Sequence, residues 1–330
     1  MHAACMLRGA CPAAPLWLSQ RVQCRVCQIG EATRLLAAAS PFITLSIEPS
    51  LRVCNMSNYT KEKNEDGSEF YSFSFAGRSL KLAEHPGTIL SVESLAAGAY
   101  EAPLPILLMA TVSRTDGAFC DVGANIGIYS VLAAKTKGDA HIYAFEPLPA
   151  ARRVLTDNLR LNGVLHQVEI SECALSDAEG TAALHLPDPG HGLLETSASL
   201  EADFKAAANT IEVPIRTLDS LKLQRKLAVV KADIEGHEAA FLRGATRTLA
   251  EDRPIVYAEV LSGAYKTLFD LSKMLEQLEY IPFRMRSDAV IYTKIIVPDK
   301  GWNYAFVPAE KMDVFRDCCR GHDIEMLRSY

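Results

Sequence analysis

The sequence predicts an α/β fold with a mostly parallel sheet covered by helices on both faces. The first observation is the stretch 118–127, in which a short apolar strand ends in a turn bracketed by Gly123 and Gly127. An amphipathic helical pattern follows directly, and strand, glycine turn and helix are the opening unit of Rossmann-like folds. The second observation is that strands and helices then alternate along the chain, which is typical of parallel sheets.

The composition is that of a globular chain with a sizeable core. Apolar residues make up 49% of the 330 residues, and no polar low-complexity tract interrupts them. The formal net charge of −6 lacks the excess of basic residues that is typical of nucleic-acid-binding proteins. No apolar run reaches the length of about eighteen residues that a membrane-spanning helix needs. We therefore expect a cytoplasmic protein that neither binds nucleic acid nor crosses a membrane.

Residues 1–55 form an N-terminal extension of different composition. They hold five of the nine cysteines, and no acidic residue precedes Glu31. An arginine-containing, acid-poor segment is typical of a transit peptide, but an upstream start, with Met56 as the true one, explains the same composition. We expect the extension to be disordered or to result from a mis-assigned start. Its Cys24-x-x-Cys27 motif lacks the second ligand pair of a zinc site.

The segment 56–117 is predicted to form a cap on the main domain. Apolar and polar residues alternate from 70 to 82 around a central glycine, which is a hairpin signal. A helical pattern then covers 89–110, with breaks at Gly98 and at two prolines. We expect this cap to pack at the edge of the sheet and to cover the crevice there.

The segment 118–310 is predicted to contain a seven-stranded sheet with helices between its strands. Apolar patterns place strands at 118–122, 141–146, 168–174, 227–233 and 255–260, with the last strands within 280–285, 289–296 and 302–307. The segments between them carry apolar residues at helical spacing, so that each helix can bury one stripe on the sheet. Residues 311–330 follow as a C-terminal tail.

An added β-hairpin is predicted between the third and fourth strands. Its strands are 181–186 and 211–215, and Pro214 favours an edge position for the second one because proline cannot donate to a ladder. The residues between them, 187–209, are rich in Gly, Ser and Ala. A loop of that length in a compact domain is usually functional or disordered.

The glycine turn differs from a dinucleotide-binding fingerprint at its first position. A G-x-G-x-x-G motif would begin with glycine, but Asp121 stands there. A carboxylate would repel a pyrophosphate, which argues against NAD or FAD, whereas it could hold the ammonium group of S-adenosylmethionine directly or through water. Glu146 ends the second strand nineteen residues after Gly127, where such folds place a carboxylate on ribose hydroxyls. The residues therefore favour S-adenosylmethionine as the cofactor.

Several stretches, in this order, resemble the FkbM-type methyltransferases, a branch of the class I S-adenosylmethionine-dependent enzymes. They are GAYE at 98–101, DVGANIG at 121–127, FEP at 145–147, ALSD at 174–177, VPIRTLD at 213–219, KADIEGHE at 231–238, LRGA at 242–245 and NYAFVP at 303–308. The resemblance covers about residues 70–310. It implies a Rossmann-like class I methyltransferase fold and methyl transfer from S-adenosylmethionine, typically to a hydroxyl on a sugar or polyketide.

The resemblance carries a set of cofactor-binding residues with it. Three of them lie just past the third strand, where the adenine edge packs in this fold, although serine and aspartate at that point are equally common in turns. The candidate cofactor-binding residues are Asp121, Gly123, Asn125, Gly127, Glu146, Ala174, Ser176 and Asp177.

The candidate catalytic residues Asp233, Glu235 and His237 follow the fourth strand. Ligands in open α/β sheets bind beyond the carboxyl ends of the strands. Methylation of an alcohol needs a base, because the hydroxyl must lose its proton as it attacks the methyl carbon. Histidine titrates near neutrality, whereas an aspartate is too acidic unless desolvated. We favour Asp233 because a strand end is placed more rigidly than a helix start. The nearby Glu238 is equally explained by the helix dipole.

Other functions remain open on the same scaffold. Asp233 and Glu259 end adjacent strands and could hold a divalent cation, but no Asp-Asn pair follows the fifth strand, so we predict no metal. The acceptor is expected to be a small molecule or a glycan. The scaffold could also methylate an amine, or act as a non-catalytic S-adenosylmethionine-binding module that regulates a partner.

Overall fold

A computed structural model describes residues 58–187, 198–201, 207–260, 265–296 and 303–328. All of the described residues belong to one compact unit, Met56–Tyr330. The expected disorder or mis-assigned start of residues 1–55 therefore lies outside the described residues.

The described residues form fifteen strands and eight α-helices. The strands are β1 (Tyr59–Lys63), β2 (Glu69–Phe75), β3 (Arg78–Ala83), β4 (Ala118–Val122), β5 (Ile142–Phe145), β6 (Val168–Ser171), β7 (Ala174–Leu175), β8 (Gly180–Pro187), β9 (Ala207–Arg216), β10 (Leu227–Ala232), β11 (Ile255–Glu259), β12 (Tyr280–Arg286), β13 (Ala289–Tyr292), β14 (Asn303–Pro308) and β15 (Glu325–Arg328). The helices are α1 (Thr88–Ala96), α2 (Leu104–Arg114), α3 (Ile128–Thr136), α4 (Pro149–Leu161), α5 (Glu238–Arg243), α6 (Thr246–Glu251), α7 (Tyr265–Gln277) and α8 (Met312–Arg320).

The main sheet has the order β15-β13-β12-β14-β11-β10-β4-β5-β6. Strands β11, β10, β4, β5 and β6 run parallel to one another. Strand β14 lies antiparallel between β11 and β12. The seven strands from β12 to β6 confirm the predicted Rossmann-like class I arrangement, and β13 and β15 extend it to nine strands.

The central strands are buried on both faces, which explains why they are almost continuously apolar. Every residue of β4, β5 and β10 is buried. Alternate residues face two separate apolar cores, with Phe119 in one and Cys120 in the other. The strand order reverses between β4 and β10, because the chain first adds β5 and β6 on one side and then β10 and β11 on the other. That reversal opens a crevice at the carboxyl ends of these two strands.

The cap is a three-stranded sheet, β1-β2-β3, followed by α1 and α2. Strands β2 and β3 are the predicted hairpin, and β1 adds a third strand. Asn158, which is fully buried on α4, joins the cap to the domain: its Oδ1 accepts from the Ala83 N–H at 2.7 Å, and its Nδ2 donates to the Ile126 carbonyl at 2.7 Å. One amide side chain thus links β3 to the glycine turn.

The inserted hairpin is formed by β8 and β9, but the edge position expected for β9 is wrong. Strand β9 lies between β8 and β7. Its pairing with the short strand β7 involves only Ile215 and Arg216, so it begins one residue after Pro214. The missing N–H of Pro214 is therefore compatible with an inner strand.

The expected C-terminal tail is instead part of the domain. Helix α8 buries Phe315, Cys318 and Cys319 in the core, and β15 pairs in parallel with β13. These three apolar residues have the i, i+3, i+4 spacing of a helix that packs on one face, a signal that the interpretation as a tail missed.

Candidate functional site

A crevice lies at the carboxyl ends of β4, β5 and β10, and its wall continues over β7, β8 and residues 198 and 200. Seven predicted site residues line it: Gly123, Asn125, Glu146, Ala174, Asp233, Glu235 and His237. The other four, Asp121, Gly127, Ser176 and Asp177, lie outside its lining.

The glycines of the turn are required by the protein's own packing. Gly123 has a φ of +72°, and a Cβ there would lie 2.0 Å from the Asp233 carbonyl oxygen. Gly127 has a φ of +83°, and a Cβ there would lie 2.2 Å from Leu155 Cδ1 of α4. Gly127 therefore faces α4. The missing side chain of Gly127 thus lets helix pack against helix, and its contact with the cofactor stays a prediction.

Glu146 is held at the end of β5 by two backbone donors. Its Oε1 accepts from the Leu148 N–H at 2.8 Å, and its Oε2 accepts from the Asn125 N–H at 2.7 Å. Burial raises the pKa of Glu146 to about 7, against the effect of these two hydrogen bonds. Each carboxylate oxygen keeps a further lone pair, so the group can still accept from two ligand hydroxyls.

Asp121 lies behind the turn and is fully buried. Its Oδ2 accepts from the Ser130 hydroxyl at 2.6 Å, while its Oδ1 is buried with no hydrogen-bond partner among the described residues. The Oδ1 of Asn125 is in the same state. Unpartnered buried acceptors are costly, and a ligand that carries N–H donors fits beside them.

The opposite wall of the crevice is apolar. It is formed by Leu148, Ala151, Ala174, Leu184 and Leu200, which belong to one small core cluster or pack against it. A flat heteroaromatic ring fits such a wall.

Part of the long insertion also reaches the crevice. Ser199 exchanges two backbone hydrogen bonds with His185 of β8, at 2.8 and 3.1 Å. Its hydroxyl donates to the Glu235 carbonyl at 2.7 Å. The flanking residues 188–197 and 202–206 lie outside the described residues, as does most of the loop expected at 187–209.

His237 lines the crevice with both ring nitrogens engaged. Its Nε2 is 2.8 Å from the Ser176 hydroxyl, and its Nδ1 is 2.6 Å from Glu201 Oε1. The buried hydroxyl of Ser176 is thus occupied by the imidazole, and the place of Ser176 at the adenine edge stays a prediction. Asp177 is turned towards Arg243, which donates two hydrogen bonds to its Oδ2 and lowers the pKa of Asp177.

Asp233 lines the crevice directly after β10, and a lysine holds it. The Lys231 Nζ donates to Asp233 Oδ2 at 3.0 Å and lies 4.6 Å from the centre of the Tyr129 ring. Although burial acts in the opposite direction, Lys231 lowers the pKa of Asp233. Sequence reasoning missed Lys231. The signal was present, since it is the single charged residue of the otherwise apolar strand β10.

Glu238 has a structural role, whereas Glu235 lines the crevice. Glu238 is buried, and its Oε1 accepts from the N–H groups of Ile234 and Gly236 at 3.0 and 3.3 Å. Burial raises the pKa of Glu238 to about 8. Glu235, in the turn that follows Asp233, has a left-handed φ of +55°. The turn that presents Asp233 is therefore held in a strained conformation.

The cap adds Glu101, an acid of the GAYE motif that is not among the predicted site residues. Glu101 has a φ of +42°, and its Oε2 accepts from the Tyr129 hydroxyl at 2.6 Å. Within the part of the chain that the structure describes, no group of three or more His, Cys, Asp or Glu side chains is arranged to bind a metal ion. No helix in that part combines the length and apolarity needed to cross a membrane.

The fold and the crevice define a class I methyltransferase domain. Residues 121–285 match the family described as methyltransferase FkbM domain, which covers half of the sequence. The chain belongs to this family, and the resemblance inferred from its motifs is confirmed.

Two relatives have been named for their methyltransferase activity. The methyltransferase sdnD of Sordaria araneosa is 31% identical over an alignment of 151 residues, and the match covers 38% of this chain and 58% of that protein. The hexuronic acid methyltransferase AglP of Haloferax volcanii is 29% identical over 180 residues, 52% of this chain and 66% of that protein. The matches thus span about three-fifths of the length of these relatives. The crystal structure of an FkbM methyltransferase from Methylobacillus flagellatus KT superposes with a TM-score of 0.40 and 16% identity, over 66% of this chain and 54% of that chain.

Proposed function

We propose that this chain binds S-adenosylmethionine in the crevice and methylates a hydroxyl of a sugar, a glycan or a polyketide-type small molecule. The observation that carries the cofactor assignment is Glu146, held at the end of β5 with both oxygens oriented by backbone N–H groups. This is where Rossmann-like folds bind ribose hydroxyls. The apolar wall with Leu148 and Leu184 fits the adenine ring.

The residues at the other end of the crevice fit the amino-acid part of the cofactor. Asn125 lines the crevice, and its Oδ1 is a buried acceptor without a partner among the described residues, as is Oδ1 of Asp121 behind the turn. The ammonium group would supply donors to Asn125 directly and to Asp121 through water. When bound, S-adenosylmethionine supplies a methyl group made electrophilic by its sulfonium.

Asp233 is the residue that we assign as the acceptor's base. Its carboxylate lines the crevice, whereas both ring nitrogens of His237 already have partners. Asp233 would take the hydroxyl proton of the acceptor as its oxygen attacks the methyl group that the bound cofactor would supply. Glu235 shapes the turn that presents Asp233.

The sugar class of the acceptor is supported by one relative. AglP is named a hexuronic acid methyltransferase, and uronic acids are therefore the first acceptors to test. An amine acceptor is the second candidate, because Asp233 and Glu235 make this end of the crevice acidic. A non-catalytic binding module is the third, and it would bind the cofactor without turning it over.

The first experiment measures cofactor binding by calorimetry. We expect S-adenosylmethionine and S-adenosylhomocysteine to bind and NAD not to bind. Glu146→Ala should weaken binding, whereas Glu276→Ala, which removes an exposed acid of α7, should not. Tight binding of NAD without binding of S-adenosylhomocysteine would overturn the cofactor assignment.

The second experiment identifies the acceptor. The full chain is incubated with methyl-labelled S-adenosylmethionine and a panel of uronic acids, oligosaccharides, polyketide alcohols and amino sugars. Label on a hydroxyl supports the proposal, and label only on an amine favours the second candidate. Cofactor binding without label transfer to any member favours the binding module.

A further inference from the structure

The His237 imidazole links a hydroxyl and a carboxylate in the order found in hydrolase triads. Its Nε2 lies 2.8 Å from the Ser176 hydroxyl, and its Nδ1 lies 2.6 Å from Glu201 Oε1. A nucleophilic serine must reach its substrate, but Ser176 is only 4% exposed and lies outside the lining of the crevice. The three side chains are therefore explained better as a structural link than as a nucleophile with its base.

The link is compatible with both charge states of the imidazole. A carboxylate can only accept, so the Nδ1 that faces Glu201 carries a proton. The Nε2 atom accepts from the Ser176 hydroxyl when the imidazole is neutral and donates to it when the imidazole is charged, because a hydroxyl can do both. Protonation of His237 therefore leaves both contacts in place.

The link holds a short piece of the long insertion, residues 198–201, which we call the strap. Ser199 is 2% exposed and exchanges two backbone hydrogen bonds with His185 of β8, at 2.8 and 3.1 Å. Its hydroxyl donates to the Glu235 carbonyl at 2.7 Å and accepts from the Glu201 N–H at 3.0 Å. The strap thus joins the inserted hairpin to the turn after β10.

The strap supplies two side chains of the apolar wall. Ala198 and Leu200 line the crevice and pack against the small core cluster that contains Leu184. The other two strap residues, Ser199 and Glu201, make the hydrogen bonds that fasten it. Four residues with so few apolar contacts of their own depend on such fastening, because ordering a backbone segment has an entropic cost.

We propose that His237 is a positioning residue that fastens the strap through Glu201, so that Ala198 and Leu200 complete the wall that receives the adenine ring. The proposal rests on the methyltransferase function proposed above and deepens it, because it names residues that determine affinity for the adenine end of the cofactor. A ligand binds more tightly when the protein has already ordered the segment that contacts it.

The first test needs no cofactor and follows hydrogen exchange of the full chain by mass spectrometry. In Glu201→Ala and in His237→Ala, the backbone amides of residues 199 and 201 should exchange roughly five- to tenfold faster than in the wild type, because the strap has lost a fastening hydrogen bond. Glu276→Ala, which removes an exposed acid of α7, should match the wild type. Exchange at the wild-type rate in both variants would overturn the proposal.

The second test measures binding of S-adenosylhomocysteine by calorimetry. Glu201→Ala and His237→Ala should each weaken binding by roughly three- to thirtyfold, the range of one or two lost hydrogen bonds. The double variant should lose no more than either single variant, because both changes remove the same contact. Glu201→Gln keeps an acceptor for Nδ1 and should restore most of the affinity. Additive losses would mean that the two side chains act separately, which contradicts the proposal.

A shorter ligand, 5′-methylthioadenosine, locates the effect within the crevice. It keeps the adenine and the ribose but lacks the amino-acid part of the cofactor. In Glu201→Ala its affinity should fall by the same factor as that of S-adenosylhomocysteine, because the wall contacts only the adenine end. A loss confined to S-adenosylhomocysteine would place the effect at the amino-acid end and refute the role assigned to the strap.

Kinetics separate positioning of the strap from a role in the chemistry. With labelled S-adenosylmethionine and an acceptor that the wild type methylates, His237→Ala should raise KM for the cofactor by the factor found in calorimetry, while kcat changes much less. A fall in kcat without a rise in KM would make His237 part of the chemistry and reject its positioning role. If His237→Ala does not fold, Glu201→Ala carries all of these tests, because the Glu201 side chain is half exposed.

The proposed function and the role of the strap can fail separately. If neither S-adenosylhomocysteine nor 5′-methylthioadenosine binds the wild type, the proposed function fails, while hydrogen exchange still reports whether His237 and Glu201 hold the strap. If both ligands bind but exchange in the strap responds to neither variant, the inference about the strap fails alone.

Discussion

The crevice contains two carboxylates that the protein stabilises in different ways. The carboxylate of Glu146, at the end of β5, accepts from the N–H groups of Asn125 and Leu148, whereas Arg152 donates to the backbone carbonyl of Glu146 and not to its carboxylate. Asp233, at the end of β10, is 3.0 Å from the Lys231 ammonium. Burial raises the pKa of Glu146 to about 7, whereas Lys231 overcomes burial and lowers the pKa of Asp233.

The difference shows what each end of the crevice can do. Backbone dipoles orient a carboxyl group but leave its charge easy to remove, which suits a residue that binds neutral hydroxyls of a cofactor. A full counter-charge keeps a carboxylate ionised and fixed, which suits a group that must meet the acceptor hydroxyl in one state. The five predictions below test this contrast.

The largest effect is expected for Asp233→Asn on methyl transfer. The amide cannot take the acceptor proton, so the rate should fall by roughly 10²–10⁴, measured with labelled cofactor and an acceptor that the wild type methylates. Affinity for S-adenosylhomocysteine should hardly change, because Asp233 is not among the residues assigned to ribose or adenine. Full activity in this variant would refute the assignment of Asp233 as the base.

The ion pair between Lys231 and Asp233 should give a coupling energy in a double-mutant cycle that measures the free energy of unfolding. Lys231→Met leaves Asp233 without its buried counter-charge and should cost about 3–5 kcal/mol. Lys231→Met/Asp233→Asn should cost clearly less than the sum of the two single changes, as measured by denaturant unfolding. Additive costs would mean that the pair is not coupled. Lys222→Met is the exposed control, with a change within about 0.5 kcal/mol.

Glu146→Ala should weaken cofactor binding, which Asp233→Asn should leave nearly unchanged. Two ligand hydroxyls lose their acceptor, so S-adenosylhomocysteine affinity should fall by about 1–3 kcal/mol. Calorimetry measures this loss, with Glu276→Ala as the control. An affinity equal to that of the wild type would place the ribose elsewhere.

The raised pKa of Glu146 also predicts a pH dependence of cofactor affinity. Hydroxyl donors favour the carboxylate, so the bound state has a lower pKa than the free state, in which the pKa is about 7. Affinity should be full above that value and should weaken as the pH falls below it, by up to about tenfold per pH unit. Glu146→Gln should remove this slope. A flat profile in the wild type would show that Glu146 does not change its protonation on binding.

The smallest effect is expected for His237→Ala. Both ring nitrogens are bound by Ser176 and Glu201, so the imidazole is not available as the acceptor's base, and the rate should fall by less than about tenfold, below the range of a lost general base. Comparison of His237→Ala with Asp233→Asn on one acceptor ranks the two candidate bases directly. A larger loss in His237→Ala would reverse their assignment.

Local patterns in the sequence were sufficient for much of the fold. The strands β4, β5 and β10 could be predicted because burial on both faces requires continuous apolar runs. Gly123 could be identified because only glycine fits a left-handed turn pressed against the Asp233 carbonyl. The placement of Glu146 in the crevice followed from its spacing after the turn, since strand and helix lengths fix that offset.

What the tertiary structure decided were the partners of the side chains. Ser176 and Glu201 are distant from His237 in sequence but occupy both of its nitrogens, and Arg243 turns Asp177 away from the crevice. No sequence pattern encodes these contacts, because they depend on how separate elements pack.

The same holds for the charges of the acids. The sequence by itself determined that Asp233 and Glu259 end strands of one sheet, and the periodicity of the strands was enough for that. Which of them contacts a cation was decided by the fold, which places the Lys231 Nζ 3.0 Å from Asp233 Oδ2. Electrostatic energy depends on distances and burial in three dimensions, so only the folded chain shows that Asp233 is the acid that Lys231 holds.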